Sequence, residues 1–505
     1  MRATNRSHES PQAVRQRSRH VQERQRPPLF SKNTVHIDAL SVLSYNVLAV
    51  RYARKGWLPH ASRKVLDPNY RRHNLLREIL DAHADILCLQ EVDEFEKEWR
   101  EPLEQAGYEC QYKHRTGGRK DGCLIAYLAR KFRLVERRGV NFNTIGKKAK
   151  RRSFLTQNVA LMVELQQLCN NHEKEARNEE EREGEGEESG TSLVVACVHL
   201  NWEWEDLKLL QTLKLMEELT SFRGKYIHQK KENREPLLPL LLCGDFNAMP
   251  PSCCGRTNKH ENETHNETEH KSKNENGKRN TEEGDEHEKQ EKEEEEHTQK
   301  EKEKGTEKEE KEEKEEKNNG TDKANQMETE IDGEVYQMLT TGVIDLSGLA
   351  PKLRQRLRLP LHVTLAQHKG HKGESNEEPT KSRTNTKTKQ QKRKLPSVAS
   401  AYKEVLGMEP PFTNRKPNFR GTLDYIFYSR DSEEAGEGEQ EGTLLVPTAV
   451  LDVPSEKLVL ELGALPNRVW SSDHLMLWAS FLVLQRCGHT DTKQAITNKL
   501  NNSSE

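Results

Sequence analysis

Short apolar runs that end in a carboxylate, a carboxamide or an imidazole recur along this chain, and that pattern limits its fold more than any other feature. The clearest is Pro239-Leu240-Leu241-Leu242-Cys243-Gly244-Asp245-Phe246-Asn247. An apolar run closed by a glycine predicts a buried strand running out at the edge of a sheet. Asp245 and Asn247 stand two residues apart on extended chain and so project to the same side. Open α/β sheets bind ligands outside their strand ends, which makes this a place for chemistry. Taken alone, the motif reads equally well as a turn whose Asp and Asn satisfy local backbone donors.

The event repeats. Ser41 to Ala49 predicts a strand with Asn46 among apolar neighbours, either a buried structural hydrogen-bonder or a site residue. Ala84 to Val92 predicts a strand that reaches Glu91, and a buried glutamate needs a cation: Arg or Lys in the structural reading, a metal in the functional one. Asn158 opens a strand over Val159 to Leu165, whose hairpin partner, Ser192 to Leu200, carries His199 near its end. Asp424 stands at the start of the strand Tyr425 to Tyr428, and Ser471-Ser472-Asp473-His474 precedes the last apolar run. Helical spacing over Tyr70 to His83 (Leu75, Leu76, Ile79, Leu80) and from Leu207 to Leu219 predicts amphipathic helices covering the sheets, the first with its basic residues on the outer face. The loop Thr116 to Gly122 holds Arg119 and Lys120, which read as an exposed basic turn or as phosphate contacts.

Between these runs the chain is poor in core-forming material: 32% of its 505 residues are hydrophobic and 32% charged. Much of it therefore cannot pack, and four polar stretches, at about 171–190, 255–330, 367–394 and 432–442, are expected to be disordered inserts. Residues 1–36 read as a disordered basic arm, 37–486 as one interrupted catalytic domain, and 487–505 as a disordered tail. The 81 Lys+Arg against 83 Asp+Glu give no global field toward nucleic acid, and no apolar run approaches the roughly 20 residues of a membrane span. Of 9 cysteines, Cys88, Cys197 and Cys243 sit in strand-like runs, and Cys253-Cys254 lack a partner pair at zinc spacing. A reducing compartment is the expectation, cytoplasm or nucleus, with organelle targeting by the Arg/Ser-rich N-terminus left open.

Asn46, Glu91, Asn158, His199, Asp245, Asn247, Asp424, Asp473 and His474 thus all fall at or near strand ends. Together they supply carboxylates, amides and imidazoles with no Ser or Cys nucleophile beside a base, an inventory suited to hydrolysis by water. Oxygen-rich ligands without clustered thiolates suit Mg²⁺ or Mn²⁺.

These residues also carry a resemblance. Tyr45-Asn46-Val47-Leu48-Ala49, Leu89-Gln90-Glu91-Val92, Asp121-Gly122-Cys123, His199-Leu200, Gly244-Asp245-Phe246-Asn247, Leu423-Asp424-Tyr425-Ile426-Phe427-Tyr428-Ser429 and Ser472-Asp473-His474-Leu475 resemble the ordered motifs of the endonuclease/exonuclease/phosphatase superfamily. Within it the chain looks most like carbon-catabolite-repressor-type deadenylases, nocturnin and the Angel proteins. The resemblance implies a DNase-I-like, two-sheet α/β sandwich flanked by helices, with the site between sheet edges. It implies Glu91 as principal metal ligand, aided by Asn46 and, in some relatives, Asp473. Asp245 would orient or deprotonate the attacking water, Asn247 and Asn158 would donate to phosphate, and His199 and the Asp424-polarised His474 would stabilise charge on phosphorus. Phe419 matches a base-stacking position. No leucine-rich repeat precedes the motifs, so docking to the large deadenylase scaffold by that route is not expected.

The implied activity is an Mg²⁺-dependent 3′-to-5′ exoribonuclease acting on poly(A) tails and releasing 5′-AMP. The alternatives are a phosphatase on NADP(H) or on RNA terminal phosphates, as in nocturnin and Angel relatives, and a non-catalytic RNA-binding protein.

Overall fold

The apolar runs do become strands. The computed structural model describes residues 10–24, 34–168, 191–223, 237–251, 333–345, 355, 362–364, 397–430 and 442–486. In chain order its strands begin with β1 (Val21–Glu23), β2 (Thr34–Asn46), β3 (Ile86–Asp93), β4 (Tyr108–His114) and β5 (Asp121–Leu128). Then come β6 (Phe132–Asn141), β7 (Val159–Gln167), β8 (Ser192–His199), β9 (Leu240–Asp245), β10 (Val343–Asp345) and β11 (His362–Thr364). The last are β12 (Val398–Ser400), β13 (Asn414–Lys416), β14 (Phe419–Gly421), β15 (Asp424–Ser429), β16 (Gly442–Leu451) and β17 (Leu477–Arg486).

Two mixed sheets result, a seven-stranded one in the order β1-β16-β17-β2-β3-β5-β4 and a six-stranded one in the order β12-β15-β9-β8-β7-β6. Their facing sides interleave Val42, Cys88, Ile125 and Phe481 with Leu161, Cys197, Cys243 and Ile426. The helix Glu205–Arg223 and the helix Glu334–Thr341 cover the outer side of the six-stranded sheet through Leu207, Met216, Phe222, Tyr336 and Leu339. The helix Pro68–Leu80 covers the other sheet through Leu75 and Ile79. Burying each such Leu or Ile side chain is worth about 1.5–3 kcal/mol, which is why strands apolar on both faces are stable here. The outcome is the expected DNase-I-like sandwich.

The predicted β7–β8 hairpin forms, antiparallel from Ala160 opposite Val198 to Gln166 opposite Ser192. Cys88, Cys197 and Cys243 are buried free thiols in the core. β6, which pairs with β7 at the sheet edge, has no counterpart in the sequence reading, because Arg133, Glu136, Arg137, Arg138 and Gly139 leave no clear apolar run. Two expectations need correction. Residues 10–24 of the supposed disordered arm form a helix, Pro11–Ser18, and the strand β1, which pairs antiparallel with β16. A Ser10 cap on Ala13 N, Pro11 in the first turn and a buried Val14 explain how so polar a segment orders. On the helix Pro68–Leu80, started by Pro68 and an Asp67 cap on Tyr70 N, the basic residues are not all outside: Arg71 is 2% exposed. The expected inserts, all but Gly442 of the fourth, and the tail lie outside the described residues. Among the described residues no helix is long and apolar enough to cross a membrane.

Candidate active site

Strand register assembles the first half of the site. β8 and β9 run parallel with His199 opposite Asp245, and β15 runs antiparallel to β9 with Asp424 opposite Asp245. Three potential reactants therefore lie side by side on hydrogen-bonded strands. Gly244, at φ +151°, lets β9 approach β8: a Cβ there would lie 2.0 Å from the carbonyl oxygen of Val198. Only glycine meets both demands.

The second half comes from the other sheet. β2 and β3 run parallel, and their pairing ends with Asn46 opposite Gln90. A bulge in β3 against β5, between Leu89 and Val92, carries Glu91 at φ +58°. Bulges re-aim side chains, and this one turns Glu91 toward Asn46. Leu48 (φ 57°) and Asn247 (φ 48°) share the left-handed conformation, so three sparsely populated backbones cluster here.

Asn46 joins the halves. Its Nδ2 donates to Glu91 Oε1 at 3.0 Å and to Asp245 Oδ2 at 2.9 Å, while its Oδ1 accepts from Leu48 N at 3.0 Å. Glu91 Oε2 accepts from Ala49 N at 2.9 Å. His199 Nε2 lies 3.9 Å from Glu91 Oε1 and 3.7 Å from Asp245 Oδ2. His474 Nε2 lies 3.6 Å from the same Asp245 oxygen, and its Nδ1 meets Asp424 Oδ2 at 2.7 Å. Thr413 Oγ1 donates to Asp424 Oδ2 at 2.6 Å and accepts from Leu423 N and Asp424 N, which fixes that carboxylate.

The charge states differ for physical reasons. Burial pushes the Glu91 carboxyl up to about 7, helped by neighbouring Asp121 and Asp473. Burial also raises Asp245, against the pull of His474. It takes His199 down to about 4, since neither Asp245 nor Asp121 compensates for lost hydration. At His474 burial works the same way but loses: Asp424, Asp245 and Asp473 carry the imidazole up to about 10. The site thus pairs a neutral imidazole with a protonated one.

The remaining predicted residues sit around this cluster. Asn247 Nδ2 donates to Leu200 O at 3.1 Å, and its amide N–H donates to Asp245 Oδ1 at 2.9 Å. Asn158 is buried; its Nδ2 donates to His199 O at 3.0 Å, and its Oδ1 has no hydrogen-bond partner among the described residues. Asp473 faces Asn414 Nδ2 at 3.4 Å and Lys416 Nζ at 3.5 Å. Lys416 in turn lies over the half-buried Phe419 ring at 5.7 Å, which places Phe419 on the Asp473 side. Asp245, Asp424 and His474 bring ligand atoms within 4.8 Å of one another. A cation among them would compete with the Thr413 and His474 bonds to Asp424.

Several contributors escaped the sequence reading. Arg115, 9% exposed, binds Asp121 Oδ2 at 3.1 Å beside Glu91, whereas Arg119 and Lys120 attracted attention in the same loop. Arg71 donates from Nε to Ser471 O at 2.8 Å and from Nη2 to Val47 O at 2.8 Å and Leu48 O at 2.5 Å. Ser472 Oγ donates to Asn46 O at 2.6 Å and accepts from His474 N at 3.2 Å. For Ser472 the signal was its place in a recognised motif; for Arg71 there was none.

Residues 43–252 match the Endonuclease/Exonuclease/phosphatase family. Carbon catabolite repressor protein 4 homolog 6 of Arabidopsis thaliana is 33% identical over 217 residues, 42% of this chain and 26% of that protein. Protein angel homolog 2 of Bos taurus is 34% identical over 220 residues, 42% of this chain and 35% of that protein. The chain thus aligns with about a quarter to a third of the length of these relatives. Among solved structures, that of ANGEL2, a 2′,3′-cyclic phosphatase, superposes with a TM-score of 0.51 at 23% identity, covering 92% of this chain and 98% of that one, and shows the shared fold.

Proposed function

We propose that this chain, with its Endonuclease/Exonuclease/phosphatase domain, is a divalent-metal-dependent phosphodiester hydrolase of the 3′-to-5′ exoribonuclease type, which trims poly(A) and releases 5′-AMP. The observation that carries the hydrolytic reading is the bridge made by Asn46. One amide holds Glu91 and Asp245 together from two sheets, with His199 and His474 both within 3.7 Å of one Asp245 oxygen. The deadenylase assignment rests on the likeness to the carbon catabolite repressor homologue.

The donor set fits a hard cation. Burial, with Asp121 and Asp473 adding negative charge, is what raises Glu91 to about 7, and a cation bound there would offset both. Glu91, with Asn46 acting through water, would hold Mg²⁺ or Mn²⁺, and Asp473 adds charge nearby. Bound there, the ion would polarise a phosphoryl oxygen and offset its charge.

The chain's own residues supply the rest. Asp245 orients a water by one oxygen and takes its proton as the water oxygen attacks phosphorus. The bond from phosphorus to the 3′ oxygen breaks, leaving 5′-AMP and a shortened RNA whose 3′ oxygen takes a proton from solvent. His474, kept protonated by Asp424, stabilises charge on the pentacovalent phosphorus, as does His199 as a neutral donor. Asn247 and Asn158 position the phosphate, and Phe419 stacks a base, a contact worth about 1–3 kcal/mol.

A second reading, removal of terminal phosphates from RNA, is favoured by the equal likeness to protein angel homolog 2 and by the activity named for ANGEL2. Incubation of the full chain and Mg²⁺ with poly(A), mixed-sequence RNA, RNA ending in a 2′,3′-cyclic phosphate, and NADP(H) separates them. AMP released from poly(A) supports the exoribonuclease. Opening of the cyclic phosphate with the RNA intact replaces it by the second reading, and phosphate from NADP(H) replaces both.

A further inference from the structure

The helix Pro68–Leu80 buries three polar side chains on one face, Arg71, Asn74 and Glu78. Arg71 and Asn74 bind Ser471, ahead of Asp473 and His474. Glu78, one turn on, accepts from the Tyr45 hydroxyl at 3.2 Å, next to Asn46, and its backbone carbonyl accepts from Arg19 Nη2 at 2.9 Å. Arg19 belongs to the N-terminal segment. So does Arg15, 2% exposed, which donates from Nη1 to the carbonyl of Val469.

That segment is fastened on both sides of Arg15. Val14 packs with Phe412, Val469, Trp470 and Leu475, and β1 adds to the sheet edge with Val21 opposite Leu451. Val14 and Arg15 thus meet Val469, Trp470 and Leu475, residues on either side of Asp473 and His474. The cavity left at the junction, about 20 Å³ and lined by Arg15, Ser18, Arg19, Glu78, Asp452 and Trp470 among others, has room for a single water and none for an organic ligand. The geometry serves docking.

We propose that residues 10–24 are a strap that positions the catalytic loop, with Arg15 as the positioning residue. A buried guanidinium that donates to Val469 O, across a small cavity from Glu78, fixes where the loop sits, and through it where His474 meets Asp424 and Asp245. Arg15 touches no reacting atom and acts only through the loop. The inference rests on the placement of catalysis at His474.

Hydrogen exchange and kinetics of the full chain test it together, with Arg15→Ala, Arg15→Lys and Arg19→Ala. In Arg15→Ala the amides of 467–475 should exchange faster while those of β9 keep their protection, kcat should fall about tenfold or more with KM unchanged, and Lys should restore most of the rate. Arg19→Ala should loosen the same loop less, which keeps the test informative if Arg15→Ala opens the whole protein. Wild-type exchange of the loop in both alanine variants overturns the strap. So does a loosened loop with undiminished kcat, and a His474→Ala control, read in the same assay, tells whether the strap or the placement of catalysis was at fault.

Discussion

The two halves of the site are held by different forces. His199, Asp245 and Asp424 stand opposite one another on β8, β9 and β15, so ladder hydrogen bonds and the sheet core fix their spacing. Asn46 and the Ser471–His474 stretch lie where strands give way to loops, and side chains tie them: Arg71 to three carbonyls, Ser472 to Asn46 O. A register can fail only with the sheet, whereas a side-chain tie can be cut alone. The first half should therefore respond to loss of the reacting group itself, and the second to changes in residues that never meet the substrate.

The largest effect is expected at Asp245→Asn, which removes the proposed proton acceptor and leaves the ladder intact: kcat should fall about 10⁴-fold with little change in thermal melting. A drop under tenfold would remove Asp245 from the reaction. Next, Arg71→Met should reduce kcat about 10²-fold and cost about 3 kcal/mol in urea unfolding, since three buried carbonyls lose their donor. Full activity in a folded Arg71→Met protein would erase the contrast between the halves.

A pH dependence sharpens it further. Glu91, pushed up to about 7, must lose its proton to hold a cation. Apparent Mg²⁺ affinity, read by calorimetry, should fall about tenfold per pH unit below 7 and level off above 8. A flat profile from pH 5.5 to 8 would place the ion elsewhere. The smallest effect belongs to Ser472→Ala, where Arg71 still holds the loop: about a two- to tenfold loss in kcat, unchanged KM, and less than about 1.5 kcal/mol of stability.

Legibility followed chemistry. The strands around Asn46, Glu91, His199 and Asp245 were readable because apolar runs of strand length ended in polar residues at glycine or loop boundaries. The tie by Arg71 was not, because one arginine inward among several outward ones leaves no mark on helical spacing. The N-terminal helix Pro11–Ser18 was missed for the same reason: a composition of Arg, Ser and Gln looks solvated until Val14 and Arg15 find the loop 467–475.

Residue order alone supplied the reactive inventory and the alternation of strands and covering helices, because periodicity and local composition record which faces must leave water. Convergence was settled in three dimensions. The bulge that turns Glu91, the close approach allowed by Gly244, the opposite protonation of His199 and His474, and the ties by Arg71 and Arg15 all depend on partners tens to hundreds of positions away. No local pattern encodes the distance between groups that meet only after the two sheets have packed.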